Sequence, residues 1–279
     1  MRRLSFGPLL VLLAASPPPQ SVAAQTGSQP NLVLTLFGGA VAGHTLWSIA
    51  RQPLCVLATA PGGFACNPPA QYDTLRLSRD IGASLAVGIS GTYFKSPHLG
   101  FQGEFYFLGL PFEDRCGDVA PYNADADRKN EQLCNDISGA SLSTSAIAVF
   151  AAVIVRASPA HWLSPYVRGG AGLVAYSGGT VSLSGRFQQG STVYSRAVIL
   201  DDSPKSSTLS GELGAGVTAA FSPGYQLRVE LRDAVVPLGR VTGPANDLAQ
   251  APTASKTYHH IALTLGLDIV LEKKRGRRY

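Results

Sequence analysis

The sequence is short of charge. Charged residues make up 15% of its 279 residues, well below the roughly one quarter that is typical of soluble domains. The formal net charge of +5 comes from the two ends of the chain. Arg2 and Arg3 contribute two positive charges and residues 272–279 a net four, which leaves −1 for residues 25–271. Because residues 25–271 carry no excess positive charge, nucleic-acid binding by neutralisation of phosphates is excluded for them.

Long apolar runs are also missing. After residue 24 the longest is 146–155 (AIAVFAAVIV), about half of the roughly 20 residues that a transmembrane helix needs. The first 24 residues combine two arginines, a short apolar run and the small residues 22–24, which predicts a signal peptide cleaved before Gln25. A retained anchor is the alternative, but the run is too short to cross a bilayer about 30 Å thick. We therefore expect an exported protein that does not cross a membrane by helices.

Catalytic motifs are absent as well. The chain has no nucleophile elbow, phosphate loop or paired-histidine metal motif. Its strongest catalytic candidate is His259-His260 with Ser255 nearby, because a hydrolase that uses a serine nucleophile brings together a His, a Ser and an acid. Histidines without a catalytic role are commoner than catalytic ones. We predict no catalytic residues and no cofactor.

An acidic segment offers the only other candidate for ligand chemistry. It contains Asn123, Asp125, Asp127 and Glu131, whose oxygens are of the kind that bind calcium. The segment lacks the glycine of an EF-hand loop, and Cys134 stands where the terminal Glu of that loop would be. A solvated loop without a metal is the favoured interpretation.

The sequence has only four cysteines, Cys55, Cys66, Cys116 and Cys134. Four cysteines allow three pairings, and the pairs Cys55–Cys66 and Cys116–Cys134 each close one loop. Zinc is the competing interpretation, but intervals of ten and seventeen residues do not match ribbons or fingers. In an exported chain we predict two disulfides.

What the sequence does contain is alternation with a period of two. In residues 209–221 and 261–271 nearly every odd position is apolar, while the even positions are small or polar. Residues 99–107 behave in the same way. Successive residues of a strand point to opposite faces, so each segment predicts a strand with one apolar face.

Applied to the whole chain, this pattern predicts eight strands. They span residues 32–47, 74–94, 99–112, 138–157, 166–187, 207–221, 226–241 and 257–271. The connections are short after the even strands and long and polar after the odd ones. That rhythm predicts an all-β fold, a closed antiparallel up-and-down transmembrane β-barrel with short periplasmic turns and both ends of the chain in the periplasm.

A soluble barrel would show the same alternation, so the position of charge has to decide. All six lysines fall in predicted turns, loops or the tail, whereas water-facing strands normally carry lysine and glutamate. The polar faces are built mainly from Gly, Ser, Thr and Ala. Such faces suit the narrow lumen of an eight-stranded barrel, which side chains just fill.

The few charges on the strands share the parity that points away from lipid. An Arg facing hydrocarbon near the midplane would cost about 2–4 kcal/mol, so these groups are predicted to form ion pairs inside the barrel. The predicted network consists of Arg76, Asp80, Glu104, Arg168, Glu212, Arg228, Glu230, Arg232 and Asp268. We interpret it as a plug that fixes strand register; a proton or ion path and a catalytic site are the alternatives.

Three segments carry a resemblance to a known family. They are Pro165-Tyr166-Val167-Arg168-Gly169-Gly170-Ala171-Gly172, Leu227-Arg228-Val229-Glu230-Leu231-Arg232-Asp233, and the final strand with Thr264, Gly266, Ile269 and Leu271. Together they resemble the small outer-membrane barrels of Gram-negative bacteria, the outer membrane protein A-like or opacity-type domains. The resemblance implies residence in the outer membrane, contact with its lipid and insertion by the barrel-assembly machinery.

The resulting organisation is a signal peptide at 1–24, a barrel at 25–271 and a basic periplasmic tail at 272–279. The tail is interpreted as a solvated end, with binding to anionic lipid head groups as the alternative. Three functions remain open: a non-enzymatic structural or surface-interacting barrel with disulfide-braced outer loops, a narrow porin-like pore or transporter for small solutes, and an outer-leaflet lipid hydrolase. The first is preferred, and its extracellular ligand is not specified by the sequence.

Overall fold

A computed structural model describes residues 31–55, 72–120, 128–159, 161–177, 182–199, 207–237, 253–254 and 257–271. The predicted signal peptide and basic tail lie outside these residues. So do Cys66, Ser255 and the loop positions Asn123, Asp125 and Asp127, so the second disulfide and the predictions on those residues stay predictions.

Thirteen strands and one helix make up the described part of the chain. They are β1 (Asn31–Val41), β2 (His44–Cys55), β3 (Tyr72–Ile81), β4 (Ser84–Phe94), β5 (Leu99–Ala120), α1 (Lys129–Gly139), β6 (Ser141–Arg156), β7 (Leu163–Tyr176), β8 (Leu183–Gln189), β9 (Thr192–Ile199), β10 (Ser207–Ser222), β11 (Tyr225–Pro237), β12 (Thr253–Ala254) and β13 (Thr257–Leu271). In this part of the chain, no helix is long and apolar enough to cross a membrane.

Eight of the strands close into an antiparallel barrel. Their order is β1, β4, β5, β6, β7, β10, β11 and β13, and β13 pairs with β1 to close the ring. Each strand lies beside its sequence neighbour within the barrel, so the topology is up-and-down. The predicted fold class is therefore confirmed.

Short turns join the barrel strands at one end. Residues 95–98 connect β4 to β5, residues 157–162 connect β6 to β7, and Pro223-Gly224 connects β10 to β11. Gly224 has a φ of 81°, a left-handed conformation for which tight turns favour glycine. Leu32 pairs with Leu271 at this same end, so the described strands begin and finish where outer-membrane barrels have their periplasmic side.

The outside of the barrel is apolar on every strand. Among its exposed side chains are Leu36, Val87, Phe105, Val149, Leu173, Leu213, Leu231 and Leu265, one from each strand. A water-soluble barrel would bury such residues, whereas lipid requires them outside and requires every backbone group to be paired. The closed ladder and its apolar exterior are those of a transmembrane barrel.

The remaining elements form a folded cap at the opposite end. Strands β2 and β3 pair with each other and extend beyond the ends of β1 and β4 that lie away from the short turns. Strand β3 also pairs with the second half of β5, and β2 pairs with β12. The β8–β9 hairpin is a separate two-stranded sheet, and α1 packs between β8 and β5. Long connections predicted as polar loops therefore contain regular structure.

The prediction that Arg76 and Asp80 point into the barrel is wrong. Both lie on the outward face of β3, where Arg76 is exposed, and Arg79 is buried in their place. The prediction assumed one unbroken strand over 74–94. In the structure, Ile81 pairs with Phe112 and Ala86 pairs with Leu108, so a step of five positions here matches a step of four on β5. The one extra residue exchanges the inward and outward faces of β3 relative to β4.

The predicted fifth strand also extended too far. Residues 166–187 do alternate, but the barrel strand β7 ends at Tyr176. Leu183, Gly185 and Phe187 form the buried face of β8, which pairs with β9 and not with the barrel. Alternation identifies a strand with one buried face and does not identify its partner.

Candidate functional site

The lumen holds charged side chains where strand parity predicts them. Seven of the nine predicted residues are at most 5% exposed: Glu104, Arg168, Glu212, Arg228, Glu230, Arg232 and Asp268. They come from β5, β7, β10, β11 and β13, so the network ties together most of the barrel wall.

Arg168 and Arg232 form a closed ring with two carboxylates. Arg168 places Nη1 2.8 Å from Glu104 Oε2 and Nε 3.0 Å from Glu230 Oε1. Arg232 places Nη1 2.5 Å from Glu104 Oε1 and Nη2 2.8 Å from Glu230 Oε1. Positive and negative groups thus alternate around the ring, and Glu212 adds a third carboxylate beside Arg168.

A second ion pair lies closer to the short turns. Arg228 holds Asp268 through Nε and Nη2, each 3.0 Å from a carboxylate oxygen, the two-pronged geometry that makes Arg–carboxylate pairs strong. Thr35 donates a hydrogen bond of 2.8 Å to the same Asp268. Arg228 also stacks over the ring of Tyr166, whose hydroxyl donates to Glu230 Oε2 at 2.5 Å and links the pair to the ring above.

Several members of the network were not predicted. Gln102 accepts a hydrogen bond from Arg168 and donates one to Ser90, and Tyr166 connects the two groups of charges. Arg156 lies at the short-turn end of the lumen with its guanidinium 3.6 Å from the centre of the Phe94 ring. Its parity matches that of its buried neighbour on β6, so extending the parity rule to uncharged polar residues and strand ends would have found these positions.

The arrangement fills the bore of the barrel. With Arg156 included, the lumen contains four arginines and four carboxylates, so it is neutral without an added ion. Buried ion pairs contribute little net stability, but removing one partner is costly because the other charge stays buried. Chemically, the network suits a plug that fixes register.

Small residues make room for this plug. Gly216 on β10 faces the lumen, and a Cβ placed there would lie 2.6 Å from the Tyr166 hydroxyl oxygen and 2.5 Å from the Val229 carbonyl oxygen. We expect Gly216→Ala to lower the free energy of unfolding by about 1–3 kcal/mol, the usual cost of overpacking a well-filled core. Urea unfolding of the protein inserted in lipid vesicles measures the change.

Gly211→Ala on the same strand is the matched control. Gly211 faces outward, and nothing lies within 4 Å of its added Cβ, so this change should leave stability the same or raise it slightly. Equal losses for the two variants would show that the lumen does not constrain residue 216.

Above the ion pairs, the lumen continues into an apolar core. Tyr106 stacks on Phe150 with ring centres 5.8 Å apart and lies edge-on to Phe37. One continuous cluster extends from these rings into the cap, through Leu108, Leu110, Phe112, Leu46, Trp47, Leu77, Leu133, Ile137, Leu183 and Val198. The cap is therefore a packed layer over the outer mouth of the barrel.

A buried ion pair lies within this layer. Arg79 Nε and Nη2 lie 2.6 Å and 2.8 Å from the two oxygens of Asp114, and both side chains are 1% exposed. The guanidinium also lies over the rings of Phe112 and Trp47, 4.8 Å and 5.8 Å from their centres. Arg79 thus fixes β2, β3 and β5 relative to one another.

Helix α1 is attached to the outer sheet by covalent and polar contacts. A disulfide joins Cys116 on β5 to Cys134 on α1, the pairing predicted from the sequence. Asn130 donates a 2.6 Å hydrogen bond to Asp73 on β3, and Arg186 on β8 pairs with Asp136 on the helix at 3.1 Å. Arg196 on β9 is buried in the cap as well, and this burial lowers the pKa of its guanidinium to about 10.

The histidine candidates point in opposite directions. His259 faces outward and lies 2.7 Å from Asp233, while His260 is buried against His44 and Tyr258, with ring centres 5.0 Å away in each case. The structure therefore does not place the two imidazoles in one site. Their proposed partner Ser255 lies outside the described residues.

The acidic loop shows one contact in the described part of the chain. Glu131 pairs with Arg128 at 2.7 Å. Within the described ranges, no group of three or more His, Cys, Asp or Glu side chains is arranged to hold a metal ion.

Comparison with known proteins finds matches among solved structures and none among family models or curated sequences. No family model and no curated protein matches the chain. Neisserial surface protein A is 10% identical, with a TM-score of 0.41 over 87% of this chain and 98% of its own. OprG from Pseudomonas aeruginosa is 10% identical, with 0.43 over 88% and 97%. AlkL is 12% identical, with 0.38 over 93% and 99%. Identities of 12% or less and TM-scores below 0.5 are too low to assign a role, and the transmembrane barrel rests on the closed strand order and the apolar exterior of the chain itself.

Proposed function

We propose that the protein is a non-enzymatic outer-membrane barrel with a closed lumen, which presents a folded, disulfide-braced cap for interaction at the cell surface. The observation that carries this proposal is the continuous filling of the bore. Buried ion pairs occupy its lower part, and the apolar layer that includes Phe150, Leu110 and Leu133 covers its outer mouth.

The cap supports a role at the surface. Polar loops that only join strands need no core, whereas this cap combines a helix, two hairpins, a disulfide and a buried ion pair. Such order presents exposed side chains in fixed positions, which lowers the entropic cost of binding a partner. Lipid of the outer membrane would surround the barrel, and the barrel-assembly machinery would insert it through the final strand β13.

The conductance of the purified protein in planar lipid bilayers tests the closed lumen. The wild-type protein should give no discrete channel openings, because buried side chains of the described residues, the ring of Arg168 and Arg232 and the apolar layer of the cap, occupy the bore. A variant with Glu104→Ala and Arg232→Ala removes two facing side chains without changing net charge, and should open more often. Regular wild-type openings would overturn the proposal in favour of a narrow pore.

A further inference from the structure

The outer sheet presents three arginines on one exposed face. Arg51, Arg76 and Arg115 lie on β2, β3 and β5, three neighbouring strands, and all three point outward. Arg115 pairs with Asp80 at 3.0 Å and lies 3.6 Å from a Glu113 oxygen, so its charge is balanced within the sheet. Within the described residues, Arg51 and Arg76 form no ion pair. We call these three residues the arginine row.

The register makes Arg51 and Arg76 face each other. On β2 the pairing passes from Ile49–Leu77 to Gln52–Leu75, so Ala50 and Arg51 together oppose Arg76. Like charges opposite each other across an antiparallel ladder are destabilising. A chain that carries so few charges nevertheless places two there, and an anion shared by both guanidinium groups would remove the repulsion.

The row shares a surface with the lipid-facing wall. Phe105 and Phe107 are exposed on the apolar outer face of β5, and Arg115 follows with the same parity. Eight residues separate Phe107 from Arg115, about 27 Å along a strand at roughly 3.4 Å per residue. For a strand tilted by about 40°, Arg115 stands about 20 Å above the outermost large apolar side chain of β5.

This height identifies the layer that the row meets. The head groups of a simple phospholipid extend only about 5–8 Å beyond the hydrocarbon. Anions attached to membrane lipids reach 20 Å only if a longer polar group, such as an oligosaccharide, carries them. Guanidinium groups bind phosphate oxygens through paired hydrogen bonds, so a phosphorylated saccharide fits both the charge and the distance.

We propose that the arginine row binds phosphate groups on the saccharide of an outer-leaflet glycolipid. This inference rests on the membrane position in the proposed function. The ligand lies against the outer face of the β2–β3–β5 sheet and bridges Arg51 and Arg76. Because the row is exposed, the interaction weakens as ionic strength rises.

The test compares charge-matched variants of the full chain folded in detergent. Arg51→Ala with Arg76→Ala removes the proposed contact. Arg128→Ala with Arg186→Ala removes the same charge from cap residues that are 76% and 68% exposed. Binding is measured by isothermal titration with purified lipopolysaccharide bearing a phosphorylated core, and with the same material after phosphatase treatment.

The wild-type protein and the Arg128/Arg186 variant should bind the phosphorylated glycolipid at least tenfold more tightly than the dephosphorylated one. The Arg51/Arg76 variant should lose that preference. Equal binding of both glycolipids, or an unchanged preference in the Arg51/Arg76 variant, would overturn the inference. Heat-dependent gel mobility checks that each variant is folded, and the conductance result does not affect this test.

Discussion

Glu230→Ala is expected to lower the free energy of unfolding of the barrel by about 3–5 kcal/mol, the cost of breaking a buried ion pair from one side. Glu230 is fully buried and lies within 3.0 Å of both Arg168 and Arg232. Without its carboxylate, Arg168 and Arg232 share Glu104, and Glu212 remains beside Arg168 alone. Equilibrium unfolding from lipid vesicles, monitored by tryptophan fluorescence, measures the loss.

The double variant Glu230→Ala with Arg232→Ala decides whether the pairing is the cause. It removes one charge of each sign and leaves Arg168 paired with Glu104, so it should be less destabilised than the sum of the two single changes. Strictly additive losses would mean that the two side chains act independently, which contradicts the ring.

Arg79→Ala is expected to unfold the cap while leaving the barrel intact. The change leaves the carboxylate of Asp114 buried without its partner, which again costs about 3–5 kcal/mol. The change also removes the guanidinium between Trp47 and Phe112. Limited proteolysis of the vesicle-inserted protein should cut the variant between the barrel strands, whereas the wild-type cap resists.

Arg115→Ala is the matched control for this prediction. Arg115 lies on the same sheet and also pairs with an acid, but its side chain is 67% exposed, and exposed pairs contribute less than about 1 kcal/mol. Its cap should resist protease like the wild type. Cleavage of both variants to the same degree would mean that burial of the Arg79–Asp114 pair is not what orders the cap.

Most of the barrel could be predicted from the sequence because lipid imposes a strict two-residue period. Where a strand has lipid on one side and a filled lumen on the other, as at residues 261–271, every side chain reports its face. The inward positions of Glu104, Arg168 and Glu230 follow from that rule alone. The closed up-and-down fold follows from a second regularity, the alternation of long and short connections between the strands.

The cap could not be predicted in the same way because its strands do not lie between lipid on one face and a filled lumen on the other. One extra residue between Ile81 and Ala86 exchanged the faces of β3, and this moved Arg76 outward and Arg79 inward. The one mark in the residue pattern is Gly82, which lies at the break between β3 and β4, since an isolated glycine within a strand pattern can signal a bulge. Likewise, the alternation at Leu183–Phe187 is real, but only the structure shows that β8 leaves the barrel to pair with β9.

The most direct test of the transmembrane barrel is electrophoresis of the detergent-solubilised protein in SDS, with and without boiling. A barrel whose strands all pair within a closed ring should resist SDS when cold and change mobility after heating, because every backbone group is bonded inside the sheet. We expect a clear heat-dependent shift for the wild-type protein. A single unshifted band, together with good solubility in the absence of detergent, would contradict the account and indicate a water-soluble β-protein.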